Sequence, residues 1–362
     1  MFKMQIQNVK PGVTLAKPIY MDNGTVLLGS GTELTSRFID RLMRLGIHQV
    51  YIEDSHTMDV MPDEEICPET RKQAVEAVYA TMTSLMNQPK ITNRAATPEF
   101  GATFRKVFGQ ILDDLAHRKD VMANLSTLYS MDGYLFHHSV NVAVLAGIVG
   151  MAKGYSRNQL IDLGVGALLF DIGMTQLPFD LLNKNAKLTD EERILICNHT
   201  EAGFNLLRRQ SNISLISAHC ALQHHERYSG CGYPRSLKEQ QIHEFAQIIG
   251  LADIFDSMIT PRPYRNAYTP HEVVEYLFAS GGFYFDLELV KLFLSKIAVY
   301  PLSTMVELNT KQIGVVTHVH AHSTHRPVIR VMIERDGLPA LSPYEIDLSH
   351  GSNVAITITK TI

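Results

Sequence analysis

The apolar middle of this chain is broken by carboxylates in a way few folds tolerate. ALLFDIGM ends a very apolar run on Asp171, and GLADIFDSM sets Asp253 among leucine, isoleucine and phenylalanine. Burying a carboxylate beside that much hydrocarbon costs on the order of several kcal/mol unless a cation or strong donors compensate. Four histidines accompany them: His138 in HHSVNVAVLAG, His199 in CNHTEAG, and the adjacent pair His224 and His225 in LQHHERYSGCGYP. Each has an ordinary explanation alone. His138, on a helical face with Val142 and Leu145, is by type more often a satisfied core residue than a ligand. Adjacent residues on a helix point about 100° apart, so both imidazoles face one site only near a helix end or across two metals. Together, six potential ligands on successive helical segments around one core favour a metal site, provided they converge.

The rest of the pattern divides the 362 residues into an expected four parts. Residues 1–58 read as a small α+β regulatory unit. In it PIYMDNGTVLL holds two extended runs around a turn, LTSRFIDRLMRLG forms a helix capped by Thr35 or Ser36, and IHQVYIE forms a strand. Phe38, Leu42 and Leu45 are expected to line that helix's inner face. Residues 59–124 read as a linker with two amphipathic helices. Val75, Val78, Met82 and Leu85 stripe the first helix, and Phe104, Val107, Phe108, Ile111 and Leu115 the second, with a break over 88–98. These stripes suit a core or a subunit contact, and a homodimer through them is one expectation. Residues 125–298 are helical throughout. Residues 299–362 are β-rich, with at least three strands; the alternating His318, His320 and His322 in HVHAH suit a polar hairpin end better than a surface metal site.

Composition narrows the class. Hydrophobic residues make up 45%, enough for a large core, and 33 basic against 37 acidic residues give a formal charge of −4. That balance speaks against a nucleic-acid polymer as partner. Cys67, Cys197, Cys220 and Cys231 form no CxxC pair and read as free thiols of a reducing compartment. The N-terminus carries no apolar signal region. The longest apolar run, near 140–152, is shorter than the roughly 20 residues of a membrane span. The expected location is the cytoplasm.

HHSVNV, FDIGM, NHTEAG, HHERYSGCGYP and ADIFDSMITPRPYR, in this order and spacing, resemble an HD-GYP domain over about 125–295. That is a branch of the HD phosphohydrolases whose members hydrolyse cyclic di-GMP. The first 55 residues and the β-rich tail also resemble units often joined to such domains. The resemblance implies a mainly α HD-type bundle and one or two divalent ions, iron or manganese. It implies that His138, Asp171 and Asp253 hold one ion, and that His199, His224 and His225 hold a second bridged by Asp171, the catalytic carboxylate. Glu226 would orient an imidazole from behind. Tyr233, in the loop from Gly230 to Pro234, would wall the site against substrate, and Arg262 and Arg265 would grip phosphates. A guanidinium fork matches a phosphodiester, so the residues themselves favour that last role.

The sequence departs from the family pattern where the family is named. The His-Asp pair is Phe170-Asp171, the lysine that follows is Met174, and Ser229 stands where aspartate is usual. Phenylalanine has no lone pair, and methionine cannot donate a hydrogen bond to a phosphate oxygen. Two functions from different classes therefore stand. One is a metal-dependent cyclic di-GMP phosphodiesterase of reduced activity. The other is an inactive module that senses cyclic di-GMP or docks signalling proteins. A pure scaffold would bind no nucleotide.

Overall fold

The structure is a computed structural model. It describes residues 1–362 apart from 22–24, 48, 62–63, 88–98, 118–122, 124–127, 130–133, 183, 185–186, 261–266 and 321–322. The break expected over 88–98, the turn at 22–24 and His322 lie outside the described residues, as do Arg262 and Arg265.

Short strands and one helix build the N-terminal unit. They are β1 (Phe2–Gln5), β2 (Val13–Thr14), β3 (Ile19–Tyr20), β4 (Val26–Leu28), β5 (Glu33–Leu34), α1 (Ser36–Arg44) and β6 (Gln49–Ile52). β1 pairs antiparallel with β6, and β2 with β5. Thr35 caps α1, its hydroxyl accepting the Phe38 amide at 3.3 Å, and Gly46, at φ +73°, terminates it. The inward face of α1 differs from expectation. Ile39 and Leu42 are buried, whereas Phe38 is 38% exposed. A nine-residue helix on a core this small presents one narrow stripe, and the Ile39–Leu42 spacing of three fills it.

The helices follow: α2 (Pro68–Asn87), α3 (Gly101–Ala116), then β7 (Leu128–Tyr129), which pairs parallel with β3, then α4 (Tyr134–Ala152) and α5 (Arg157–Leu169). Next come α6 (Phe179–Leu182), α7 (Asp190–Cys197), α8 (His199–Leu207), α9 (Leu215–Gln223), α10 (Glu244–Ile259), α11 (Pro270–Ser280) and α12 (Leu287–Ser295). Helices α5, α7 and α11 each open on a capping box of Ser or Thr with Gln or Glu three residues on. One apolar core runs from Val75 of α2 through Phe108 of α3, Val144 of α4 and Leu168 of α5 to Phe293 of α12. The stripes on α2 and α3 are therefore used inside the chain and offer no face to a second subunit. That removes the ground on which a homodimer was expected. Apart from the buried polar side chains near its start, His137, His138, Ser139 and Asn141, α4 is apolar all round. Its stretch Leu135–Ala152 is long and apolar enough to cross a membrane, longer than the run read from sequence, and 78% of it is buried within the protein. A helix with no solvent-facing polar stripe belongs at the centre of a bundle, and α4 sits there.

Five strands close the chain: β8 (Met305–Leu308), β9 (Ile313–His320), β10 (Ser323–Ile333), β11 (Pro339–Asp347) and β12 (Ile358–Thr361). They form an antiparallel sheet in the order β11-β10-β9-β8-β12 over Val306, Leu308, Val316 and Ile329. The N-terminal unit is tied to this sheet. The Lys3 amide donates to the Ser303 carbonyl at 2.8 Å, and Arg330 forks onto both oxygens of Asp59 at 2.6 and 2.7 Å. His318 and His320 lie 5.0 Å apart on β9, but His320 Nε2 faces Asp347 at 3.1 Å.

After α5 the chain enters a 3-10 turn, Ile172–Gln176, pressed against the start of α8. A Cβ on Gly173 would stand 1.9 Å from the His199 carbonyl and 2.6 Å from the Gly203 nitrogen, both backbone atoms. Gly173→Ala is therefore expected to destabilise the protein by roughly 1–3 kcal/mol through overpacking. A urea midpoint equal to that of the unmodified protein would show that the turn and α8 are not packed this closely.

Candidate metal centre

The end of each helix decides what its last residues face. α5 is apolar up to Leu169, so Phe170 stays buried as its C-cap, and Asp171 is the first residue free to turn toward α8 and α9. His199 opens α8. His224 is the C-cap of α9, and His225 follows before the glycine-rich loop. This is the helix-end placement that lets adjacent imidazoles serve one site.

One ligand atom from each of Asp171, His199, His224 and His225 lies within 4.8 Å of the other three. Asp171 Oδ1 is 3.3 Å from His199 Nε2 and 3.5 Å from His224 Nε2, and the two Nε2 atoms are 3.3 Å apart. The tautomers follow from the far side of each ring. His199 Nδ1 meets the Ile196 carbonyl at 2.7 Å, and His224 Nδ1 meets the Ala221 carbonyl at 3.0 Å. Carbonyls only accept, so both protons sit on Nδ1 and both Nε2 lone pairs point inward. Two lone pairs and a carboxylate oxygen thus converge, and that buried Oδ1 has no hydrogen-bond donor among the described residues. Metal bonds of about 2.1 Å place neighbouring ligand atoms roughly 3.4 Å apart, close to what is seen. The arrangement suits a cation.

Electrostatics agree. Burial raises the Asp171 pKa, and protonated His224, His199 and His138 beside it would pull it back to about 2, the part a cation takes when the rings are neutral. Burial lowers His199 and pushes His225 well below its usual value, the latter helped by His224, His199 and Arg227. A neutral imidazole and an ionised carboxylate are the forms that bind metals.

His138 and Asp253 stand apart from this group of four. His138 Nε2 meets Asp253 Oδ1 at 3.0 Å, and its Nδ1 meets Asp256 Oδ2 at 2.7 Å. Burial opposes charging this ring, but the two carboxylates outweigh it and raise its pKa to about 9. Phe170 touches both halves edge-on, with ring centroids 5.6 Å from His138 and 5.0 Å from His224.

Glu226 does not orient an imidazole as expected. Its two oxygens accept the Arg235 amide at 2.7 Å and the Leu237 amide at 2.9 Å, closing the glycine-rich loop onto the end of α9. The doublet's position at the helix end, with the chain already turning, places Glu226 under the returning loop rather than behind a ring. Tyr233 stacks on His225, with centroids 4.7 Å apart and planes at 23°, so it packs against a candidate ligand. Asp256 and Asn141 went unrecognised in the sequence reading. Each lies three residues beyond a named ligand on the same helical face, which was the available signal. Arg71, which donates to Asn141 at 2.9 Å, gave no local signal.

The His138 shift has a sign that can be tested in chelator-treated protein. A raised folded pKa means the contribution is complete below about pH 6.5 and is lost as pH rises through about 9. It amounts to up to roughly 3 kcal/mol. The thermal midpoint of the metal-free protein should fall over that window by more than that of His138→Gln. Parallel pH profiles for the two would contradict the ion-paired arrangement.

A family model described as HD domain matches residues 113–289, and one described as KOW domain associated with HD domain matches 305–359. A cyclic di-GMP phosphodiesterase of Pseudomonas aeruginosa is 26% identical over 352 residues, covering 91% of this chain and 83% of its own length. A cyclic di-GMP phosphodiesterase of Thermotoga maritima is 33% identical over 193 residues, 53% of this chain and 52% of its own. A cyclic di-GMP phosphodiesterase response regulator of Xanthomonas campestris is 36% identical over 143 residues, 39% of this chain and 38% of its own. The chain thus spans most of the first relative and about half or less of the other two. With an apolar bundle, carboxylates at helix ends and a histidine doublet before a GYP loop, the chain belongs to the HD-GYP branch of the HD-domain family.

Proposed function

We propose that this protein is a metal-dependent phosphodiesterase that hydrolyses cyclic di-GMP to the linear dinucleotide, or to GMP after a second cut, at reduced turnover. The observation that carries this reading is the convergence of Asp171, His199, His224 and His225 around an undonated carboxylate oxygen. These four would hold one divalent ion, iron or manganese, since imidazole with carboxylate suits either. Once bound, such an ion supplies Lewis acidity toward a phosphate oxygen and makes a water nucleophilic near neutral pH. The chain's own residues do the rest. Asp171 stays ionised across the physiological range, while His199 and His225 stay neutral. Tyr233 walls the site from the loop side, and Arg262 and Arg265 grip the phosphates.

The reduced turnover comes from the other half of the site. A second ion would have His138 and Asp253 as ligands, with Asp171 shared between the two. Phe170 adds a hydrocarbon edge where a further ligand would complete the set. In its place the protein holds charge with an imidazolium clasped by two carboxylates. Met174 contributes no donor to the transition state, a loss on the order of 10²- to 10³-fold. One tightly held ion per chain is the expected stoichiometry.

Purified protein incubated with cyclic di-GMP and manganese or ferrous iron should yield linear product slowly, and Asp171→Ala should yield none. Product absent from both would end the enzyme reading. Phe170→His combined with Met174→Lys should raise turnover by at least about tenfold and bring the metal content toward two per chain. A double variant no faster than its parent would mean that these two positions do not limit the reaction.

A further inference from the structure

We infer that Arg71, on α2 and outside the stretch matched by the HD-domain model, is a positioning residue that holds His138 through Asn141 and Asp256. Four side chains form a continuous buried chain of hydrogen bonds. Arg71 Nη1 donates to Asn141 Oδ1 at 2.9 Å, and Asn141 Nδ2 donates to Asp256 Oδ1 at 2.9 Å. Asp256 Oδ2 then accepts from His138 Nδ1 at 2.7 Å. Arg71, Asn141, Asp256 and His138 are 3, 5, 1 and 2% exposed, so water does not substitute for any member.

The chemistry gives the chain a direction. A guanidinium only donates and an ionised carboxylate only accepts, so the amide between them has one workable orientation. Arg71 therefore fixes Asn141, whose NH2 is aimed at Asp256. Asp256, held on one oxygen, offers the other to His138. One proton is thereby held on Nδ1 whether the ring is charged or neutral, and Nε2 is the atom that faces Asp253 and the site. Without Arg71 the buried Asn141 Oδ1 loses its donor, so the amide shifts to find another, and Asp256 and the ring it holds are loosened. Partners that orient an imidazole in this way are typically worth 10- to 100-fold in metal affinity or activity.

Arg71 also faces Glu65, Nη2 to Oε2 at 3.6 Å, and the neighbouring Glu64 pairs with Lys17 of the N-terminal unit at 3.4 Å. The relay therefore ends at the seam with that unit, and the HD-domain stretch alone lacks its first member.

The relay itself is independent of the reaction assigned above; its effect on turnover rests on the phosphodiesterase reading. The test uses the full chain, first without metal. Proton NMR should show a slowly exchanging, downfield imidazole N–H that is missing in His138→Gln, which assigns it. Glu65→Gln breaks the ion pair but leaves the relay, and should keep the resonance. Arg71→Met combined with Glu65→Gln avoids a lone buried charge and should lose it, as should Asn141→Leu. Asn141→Leu decides the matter if the Arg71 variant does not fold. With manganese bound, the variants that lose the resonance should lose about 10- to 100-fold in kcat on cyclic di-GMP, with KM little changed. An unaltered resonance in folded Arg71→Met/Glu65→Gln or Asn141→Leu would overturn the relay. No turnover in the unmodified protein would fail the phosphodiesterase reading, while the NMR result would still decide the relay.

Discussion

A carboxylate cannot sit at the centre of an apolar helical bundle without a counter-charge, and the middle of this protein is arranged around that constraint. Asp171 follows a helix whose inner residues are all hydrocarbon. Its Oδ1 faces the Nε2 lone pairs of His199 and His224, which backbone carbonyls aim inward, so the counter-charge this pocket calls for is a cation. Those carbonyls belong to the last turn of α7 and the end of α9, so the helix termini set both ligand position and tautomer. The close approach of the turn at Gly173 to α8 is part of the same arrangement, since it fixes the separation between Asp171 and His199.

Phe170 puts hydrocarbon between the two polar halves of the centre. The ring is fully buried and makes edge contacts to imidazoles on both sides, so it packs between them without offering a lone pair. On its far side His138 is held between Asp253 and Asp256. This halves the acidic–basic symmetry of the centre. One side stays open to a cation, and on the other His138 already occupies both carboxylates.

The N-terminal unit is joined to its neighbours by polar contacts, whereas Val274 of α11 packs against the apolar cluster of the sheet. The N-terminal unit reaches the C-terminal sheet through Arg330 and the His56 carbonyl, and reaches the bundle through Lys17, Glu64 and the β3–β7 pairing. Separate hydrophobic clusters serve the N-terminal unit, the bundle and the sheet. Helix α2 packs into the bundle core and carries Arg71, so a segment that reads as a connector also completes the polar interior.

Helix stripes, the cap of α1 and the candidate metal-holding side chains were legible in the sequence because they are local. Periods of three and four marked α2 and α3, Thr35 marked the start of α1, and the placement of His224 and His225 before glycines marked a helix end. Which atoms meet was not local. His138 and Asp256 are 118 residues apart, and Arg71 and Asn141 are 70 apart, so no periodicity links them. Glu226 could point behind a ring or beneath a loop, and only the loop's return path selected the loop amides. Sequence by itself therefore determined the elements and the supply of candidate ligands. Tertiary packing decided the partition into an open group of four and a closed ion-paired cluster, because side-chain direction across separate helices is set by how those helices dock.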